Sequence, residues 1–132
     1  MPKFGKSSKK RLETCDQKLQ DVMNEVIKYV DCSILEGHRG KELQNQYYKE
    51  GKSNAKYPKG KHNNIPSTAV DVMPFPVDWE DLERITLFAG FVLGIAQGMG
   101  IKMRWGNDWD MDFQTKDTGL KDYPHFELVG VK

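Results

Sequence analysis

The groups in this chain best suited to chemistry are its three histidines, His38, His62 and His125, and the carboxylates near two of them. His125 lies in Asp122-Tyr123-Pro124-His125-Phe126-Glu127-Leu128, and downstream of His62 Asp71 lies in the apolar run Ala69-Val70-Asp71-Val72-Met73. Two imidazoles and one carboxylate can hold a zinc ion and leave one coordination position for water. A further carboxylate close by, Asp122, can carry the proton that hydrolysis has to move. By spacing alone, a histidine in such a chain is more often a surface residue or a satisfied core residue. The surroundings shift the balance. A carboxylate inside an apolar run is costly unless it is paired or metal-bound, and His125 opens a similarly apolar segment. His62, Asp71 and His125 are therefore the candidate ligands of a small zinc hydrolase, with Asp122 as its acid/base.

Strands give ligands rigid placement, and a loop residue can close over them. Leu12, Cys15, Leu19, Val22, Met23, Val26, Ile27 and Val30 recur at three- and four-residue steps. That spacing predicts one amphipathic helix from Lys9 to Val30, capped by Ser7 or Ser8, after an irregular start over residues 1–8. Residues 32–36 read as a short strand and 40–50 as a helix closed by Gly51. Residues 51–67 form a polar loop long enough to suggest a functional one. Thr68 to Met73 reads as a strand with Ala69, Asp71 and Met73 on one face and Val70 and Val72 on the other. Asp78 is expected to cap a long helix with a stripe of Leu82, Ile85, Phe88, Ala89, Val92, Ile95, Ala96 and Met99. Residues 101–105 and 125–129 are strands, separated by a second polar loop over 106–121. The order α-β-α-β-α-β-β implies an α+β domain, with a small, mainly antiparallel sheet packed against two to three helices.

With 132 residues the chain is expected to be one domain, residues 1–132, with a single core. Lys plus Arg number 20 and Asp plus Glu 19, so overall charge names no partner. The basic start (Lys3, Lys6, Lys9, Lys10, Arg11) reads as a solvated tail rather than a contact with an anionic polymer. Cys15 and Cys32 read as small core residues, not a disulfide or a cysteine zinc site. The polar N-terminus does not read as a secretory signal, so none is expected. Ile85 to Met103 reads as a buried helix and its following strand, so membrane insertion is not expected.

Several segments together resemble one family. Glu36-Gly37-His38-Arg39, Lys61-His62-Asn63, Ala69-Val70-Asp71, Arg104-Trp105-Gly106-Asn107-Asp108-Trp109 and the Asp122–Leu128 run are similar to zinc peptidases of the VanY-type D-alanyl-D-alanine carboxypeptidase group. The nearest likeness is to the short phage endolysins of that group, the L-alanyl-D-glutamate peptidases, and it spans nearly the whole chain. The resemblance implies a Hedgehog/DD-peptidase-like fold, one zinc ion on His62, Asp71 and His125, and Asp122 as catalytic acid/base. It implies that Arg39 faces the substrate and stabilises the developing oxyanion, and that Gln44 lines the site. The chain departs from the family pattern at Gly60, where serine is usual, and in a longer interval between His62 and Asp71. His38 is the poorer ligand, because it adjoins the proposed substrate arginine.

Further features stay open on the sequence. Trp105, Trp109, Tyr57 and Tyr123 flank the proposed site. Trp105 and Tyr123 are taken as substrate-binding, although aromatics near a core more often simply pack. Glu127 shares a strand face with His125 and reads equally as a partner orienting that imidazole or as a solvated residue. Asp108, Asp110 and Asp112 alternate as in half a calcium loop, but a plain acidic turn is the preferred reading over a Ca2+ site. The expected function is cleavage of the peptidoglycan peptide stem by a monomeric endolysin made in the host cytoplasm and released to the wall through a holin-type pore. A separate wall-binding domain is not expected. The alternatives are a D-alanyl-D-alanine carboxypeptidase on the same scaffold and a non-catalytic, zinc-stabilised wall-binding or structural module. Nucleic-acid binding has only the basic N-terminal run in its favour.

Overall fold

In the computed structural model, which describes residues 2–116 and 118–131, the strands alternate a core-facing and a cleft-facing side chain. The elements in chain order are α1 (Lys6–Leu12), α2 (Gln17–Val26), β1 (Cys32–Glu36), α3 (Lys41–Lys49), a 3-10 turn (Lys61–Asn63), β2 (Ala69–Pro74), α4 (Leu82–Gly98), β3 (Met103–Trp105) and β4 (His125–Leu128). The four strands form one antiparallel sheet in the order β1-β2-β4-β3. This is the α+β architecture read from the sequence.

The register explains how the sheet divides. Val70 pairs with Phe126 and Asp71 with His125. Met103, Arg104 and Trp105 pair with Leu128, Glu127 and Phe126. Val70, Val72, Phe126, Leu128, Met103 and Trp105 therefore share one face, and all of them are buried in the hydrophobic core. Helix α4 packs on β2 and β3 and also against α2, and Phe88 meets Phe126 edge-on with ring centroids 6.5 Å apart. Each such fully buried side chain contributes about 1.5–3 kcal/mol of hydrophobic stabilisation. Asp71, His125, Glu127 and Arg104 fall on the opposite face by the same alternation. The β1–β2 register shifts between Ile34 and Glu36, which brings Glu36 opposite Asp71. A bulge beside a site re-aims side chains in this way.

Three expectations are corrected. The helix expected over Lys9 to Val30 is two helices, and residues 6–8 belong to the first. The break comes at Thr14-Cys15-Asp16, where the backbone pairs with Ser67 (Asp16 N–H to Ser67 O 2.8 Å, Ser67 N–H to Thr14 O 2.9 Å). Asp16 then caps α2 by accepting from Lys18 N–H. The apolar spacing survives because Leu12, Cys15, Leu19, Val22, Met23 and Val26 are buried on both sides of the break. Ser7 and Ser8 are not the cap. Gly5 holds that position, and Ser8 Oγ accepts from Ile34 N–H at 3.0 Å. The long helix starts at Leu82 with Asp81 as cap, not Asp78, and Leu82 and Met99 at its ends are exposed. Both cysteines are buried free thiols, as read. Among the described residues no helix is long and apolar enough to cross a membrane.

Candidate metal centre and active site

The cleft on the polar face of the sheet has a volume of about 860 Å³ and contains His62, Asp71, Asp122 and His125. Asp71 and His125 come from paired strands. His62 comes from the 3-10 turn, which is tied down on both sides. Its carbonyl accepts from Arg39 N–H (2.8 Å), Asn63 Nδ2 donates to Arg39 O (2.9 Å), and Gly60 N–H donates to Asn63 Oδ1 (2.9 Å). Those side chains explain the departure at Gly60: a Cβ there would stand 2.7 Å from Asn63 Oδ1 and 2.9 Å from Gln44 Oε1. A serine at that position needs both to move.

One ligand atom each from His62, Asp71 and His125 lies within 4.8 Å of the others. Asp71 Oδ1 is 3.1 Å from His62 Nε2 and 3.5 Å from His125 Nδ1. Tetrahedral ligands at zinc distances of about 2.0–2.1 Å stand about 3.3 Å apart, so these separations fit the ion. The outer ring nitrogens also fit. His62 Nδ1–H donates to Gly37 O (2.7 Å) and His125 Nε2–H donates to Glu127 Oε1 (2.8 Å). Each bond leaves the other ring nitrogen facing Asp71, where a metal ion would displace its proton to be ligated. Glu127 is thus the partner that orients His125, and Arg104 in turn holds Glu127 at 2.7 Å. His38 stands outside the group.

The electrostatics follow from this crowding. Burial opposes the charge on Asp71, but His62 and His125 outweigh it and hold the carboxyl well below the usual carboxylate range. Burial likewise opposes a charged His125, yet its bonds to Asp71 and Glu127 push the imidazole up to about 10. Glu127 is held at about 2, because His125 and Arg104 outweigh desolvation. Asp122 goes the other way. Burial and then the Asp71 charge raise its pKa, against the opposing pull of His125, His62 and Arg39. Its Oδ2 lies 3.8 Å from His125 Nδ1. A half-buried carboxyl made easier to protonate beside a ligand set is suited to taking up and returning a proton.

Backbone contacts set the position of Asp122. Asp122 N–H donates to Gly106 O, and Gly106 N–H donates to His125 O, both at 2.8 Å. A Cβ on Gly106 would stand 2.1 Å from Asp122 O, so only glycine permits this approach.

Arg39 is buried and ion-paired rather than exposed. Its Nε pairs with Glu36, Nη1 donates to Gln44 Oε1 (2.9 Å), Nη2 lies 3.6 Å from Asp71 Oδ2, and its guanidinium stacks 4.6 Å from the Tyr47 ring. Gln44 borders the cleft, and its amide also donates to Ser53 Oγ (3.0 Å) and Ala55 O, joining Arg39 to the loop over 51–55. Tyr123 lines the cleft and Trp105 does not. Trp105 is on the core face, with Nε1–H donating to Tyr123 O at 2.7 Å; strand alternation already implied that Arg104 and Trp105 cannot face the same side. Trp109 does line the cleft, 5.3 Å from the His125 ring, whereas Tyr57 does not. Tyr47 and the exposed Trp79 also line it and were not singled out from the sequence. For Trp79 the signal was an aromatic set among acids in Asp78-Trp79-Glu80-Asp81.

Asp108, Asp110 and Asp112 do gather. However, Asp108 accepts from the N–H groups of Asp112 (3.2 Å) and Phe113 (3.0 Å), and Asp112 accepts from Gln114 N–H (2.9 Å). These are the bonds of an acidic turn and add nothing to the Ca2+ reading. Asp117, in the same loop, lies outside the described residues.

A His-Asp-His group with a neighbouring carboxyl on an α+β sheet defines a candidate metallopeptidase centre. Comparison with known proteins gives the family. The model for phage L-alanyl-D-glutamate peptidases matches residues 1–129, and the chain belongs to that family. It is 34% identical over 135 residues to the L-alanyl-D-glutamate peptidase of Escherichia phage T5, covering 96% of this chain and 98% of that one. Among solved structures it resembles the Serratia marcescens L-Ala D-Glu endopeptidase ChiX, with a TM-score of 0.75 and 28% identity over 96% of this chain and 90% of that one.

Proposed function

We propose that this protein hydrolyses the L-alanyl-D-glutamate bond of the peptidoglycan peptide stem, with one zinc ion held by His62 Nε2, Asp71 Oδ1 and His125 Nδ1. The observation that carries the reading is the convergence of these three atoms within 4.8 Å beside Asp122, in a chain of this family. A zinc ion in such a set polarises a carbonyl and makes water nucleophilic near neutral pH. Asp122 accepts the proton from the attacking water and returns it to the leaving amine. Arg39 holds Asp71 and keeps a positive charge beside the developing oxyanion. Gln44 positions Arg39, Tyr123 borders the bound substrate, and Trp105 supports Tyr123 from the core side. The protein acts as a monomer and reaches the wall by holin-type release.

The test is digestion of purified muropeptides, with zinc and with a chelator, read by mass spectrometry. Products separated between alanine and glutamate are expected, and chelation should abolish them. Loss of a single terminal alanine would instead establish a carboxypeptidase. Undiminished digestion by metal-stripped protein would remove zinc from the scheme. Asp122→Ala should bind zinc normally and lose about 10²-fold or more in turnover.

A further inference from the structure

The substrate assigned above raises a charge problem. A D-glutamyl residue has two carboxyl groups, and the peptide stem continues through only one. The other remains free within a few bonds of the scissile nitrogen, and so enters the cleft with the reacting amide. The cleft already holds Asp71, Asp122 and Glu127. Arg39, the one arginine lining it among the described residues, is engaged with Glu36, Gln44 and Asp71. The proposed zinc and the guanidinium groups of Arg39 and Arg104 are already matched to Asp71, Glu36 and Glu127, so the free carboxylate needs a cation of its own.

The cleft supplies such cations. Lys61 precedes the ligand His62, Lys121 precedes Asp122, and Lys59, two positions before Lys61 in the chain, lines the same cleft. None of the three is ion-paired with a carboxylate among the described residues, whereas Lys28 and Lys52 are paired. Lys61 and Lys121 come from separate segments, each next in the chain to a residue of the centre. Lys61 is half-buried, with its carbonyl accepting from Thr68 N–H at 3.2 Å, so its backbone is held while its ammonium remains available.

We infer that Lys61 and Lys121, assisted by Lys59, form an anion subsite that binds the free carboxylate of the D-glutamyl residue and selects substrates carrying it. This rests on the proposed peptidase reading. An ammonium–carboxylate contact at a partly desolvated wall fixes the leaving half of the substrate, and it is lost when that carboxyl is a carboxamide.

The test uses two zinc-loaded assays on muropeptides identical except that the glutamyl carboxyl is free in one and amidated in the other. Wild-type protein should prefer the free acid by about tenfold or more in kcat/KM. Lys61→Met/Lys121→Met should lose that preference through a higher KM for the acid form, with kcat little changed and zinc content and melting temperature preserved. The preference should also shrink as salt is raised. Equal cleavage of both forms by wild-type protein, or a preference that survives in the double variant, overturns the subsite. If the double variant misfolds, Lys61→Gln and Lys121→Gln singly should each reduce the preference, and no reduction in either overturns the inference. Failure to cleave either substrate anywhere defeats the peptidase reading itself, a separate result from cleavage without discrimination.

Discussion

Phe126 and Glu127 are neighbours on one strand, and nearly everything about them differs. Phe126 is fully buried against Phe88 and the apolar face of β2. Glu127 is buried too, but between His125 and Arg104. The alternation of β2 and β4 thus gives one face the work of holding the fold and the other the work of holding a charged centre. Burial on the first face needs only shape and apolarity. On the second it is tolerable because each charge has a partner: Arg39, His62 and His125 meet at Asp71, and Arg104 and His125 hold Glu127. Substitutions one residue apart should therefore fail in different ways.

The largest effect is expected on the apolar face. Phe126→Ala should cost about 3–5 kcal/mol in urea unfolding of the metal-free protein, from lost burial plus the cavity left behind. A cost below about 1 kcal/mol would mean that this strand does not anchor the core. Next comes the backbone contact under the acid/base. Gly106→Ala forces Asp122 away, because its Cβ would stand 2.1 Å from Asp122 O. Turnover should drop by about 10²-fold, as for other displacements of about an ångström, while zinc content stays at one per chain. Loss of zinc together with activity would show that the contact serves the ligands instead. Smaller again is Glu127→Gln, which leaves an acceptor for His125 but removes the charge. Zinc affinity in a competition titration should weaken about 10–100-fold, with little change in fold stability. An unchanged affinity would reduce Glu127 to a partner of Arg104 alone.

The same contrast shows what the sequence made legible. Both faces of β2 could be read from Ala69-Val70-Asp71-Val72-Met73, because period two is a local property. Both imidazoles and Asp71 stood out because their types are scarce or costly where they occur. The core-side placement of Trp105 follows from the same alternation, since Arg104 beside it takes the cleft side. The break between α1 and α2, by contrast, was hidden. It depends on pairing with Ser67, far along the chain, and the helical spacing continues through it. Arg39 was found by resemblance, but its burial and its bonds to Glu36, Gln44 and Asp71 depend on a bulge and a loop that no local pattern encodes. Asp122 was recognisable as a residue. Its close approach to Gly106 is tertiary, and a lone glycine in a polar loop does not announce it.

Asp71 and the core thiols respond to burial in opposite ways. On the site face desolvation of Asp71 is overridden by His62 and His125. The thiols of Cys15 and Cys32 have no cation to answer burial, and desolvation pushes both up to about 12 from 9.0. An acid whose folded pKa lies above its unfolded value keeps its proton while the unfolded chain loses it. Between pH 9 and about 12 the unfolded state then binds fewer protons, so this contribution to stability, complete below pH 9, declines as pH rises. The effect should be the smallest of the four near neutrality and should grow only in alkali. Since the thiolate is the nucleophile, folded protein at pH 8 should react with a disulfide reagent only as fast as it opens, and replacing both cysteines by alanine should flatten the fall in stability above pH 9. Rapid labelling of both thiols in folded protein at pH 8 would show that they are not sealed in the core.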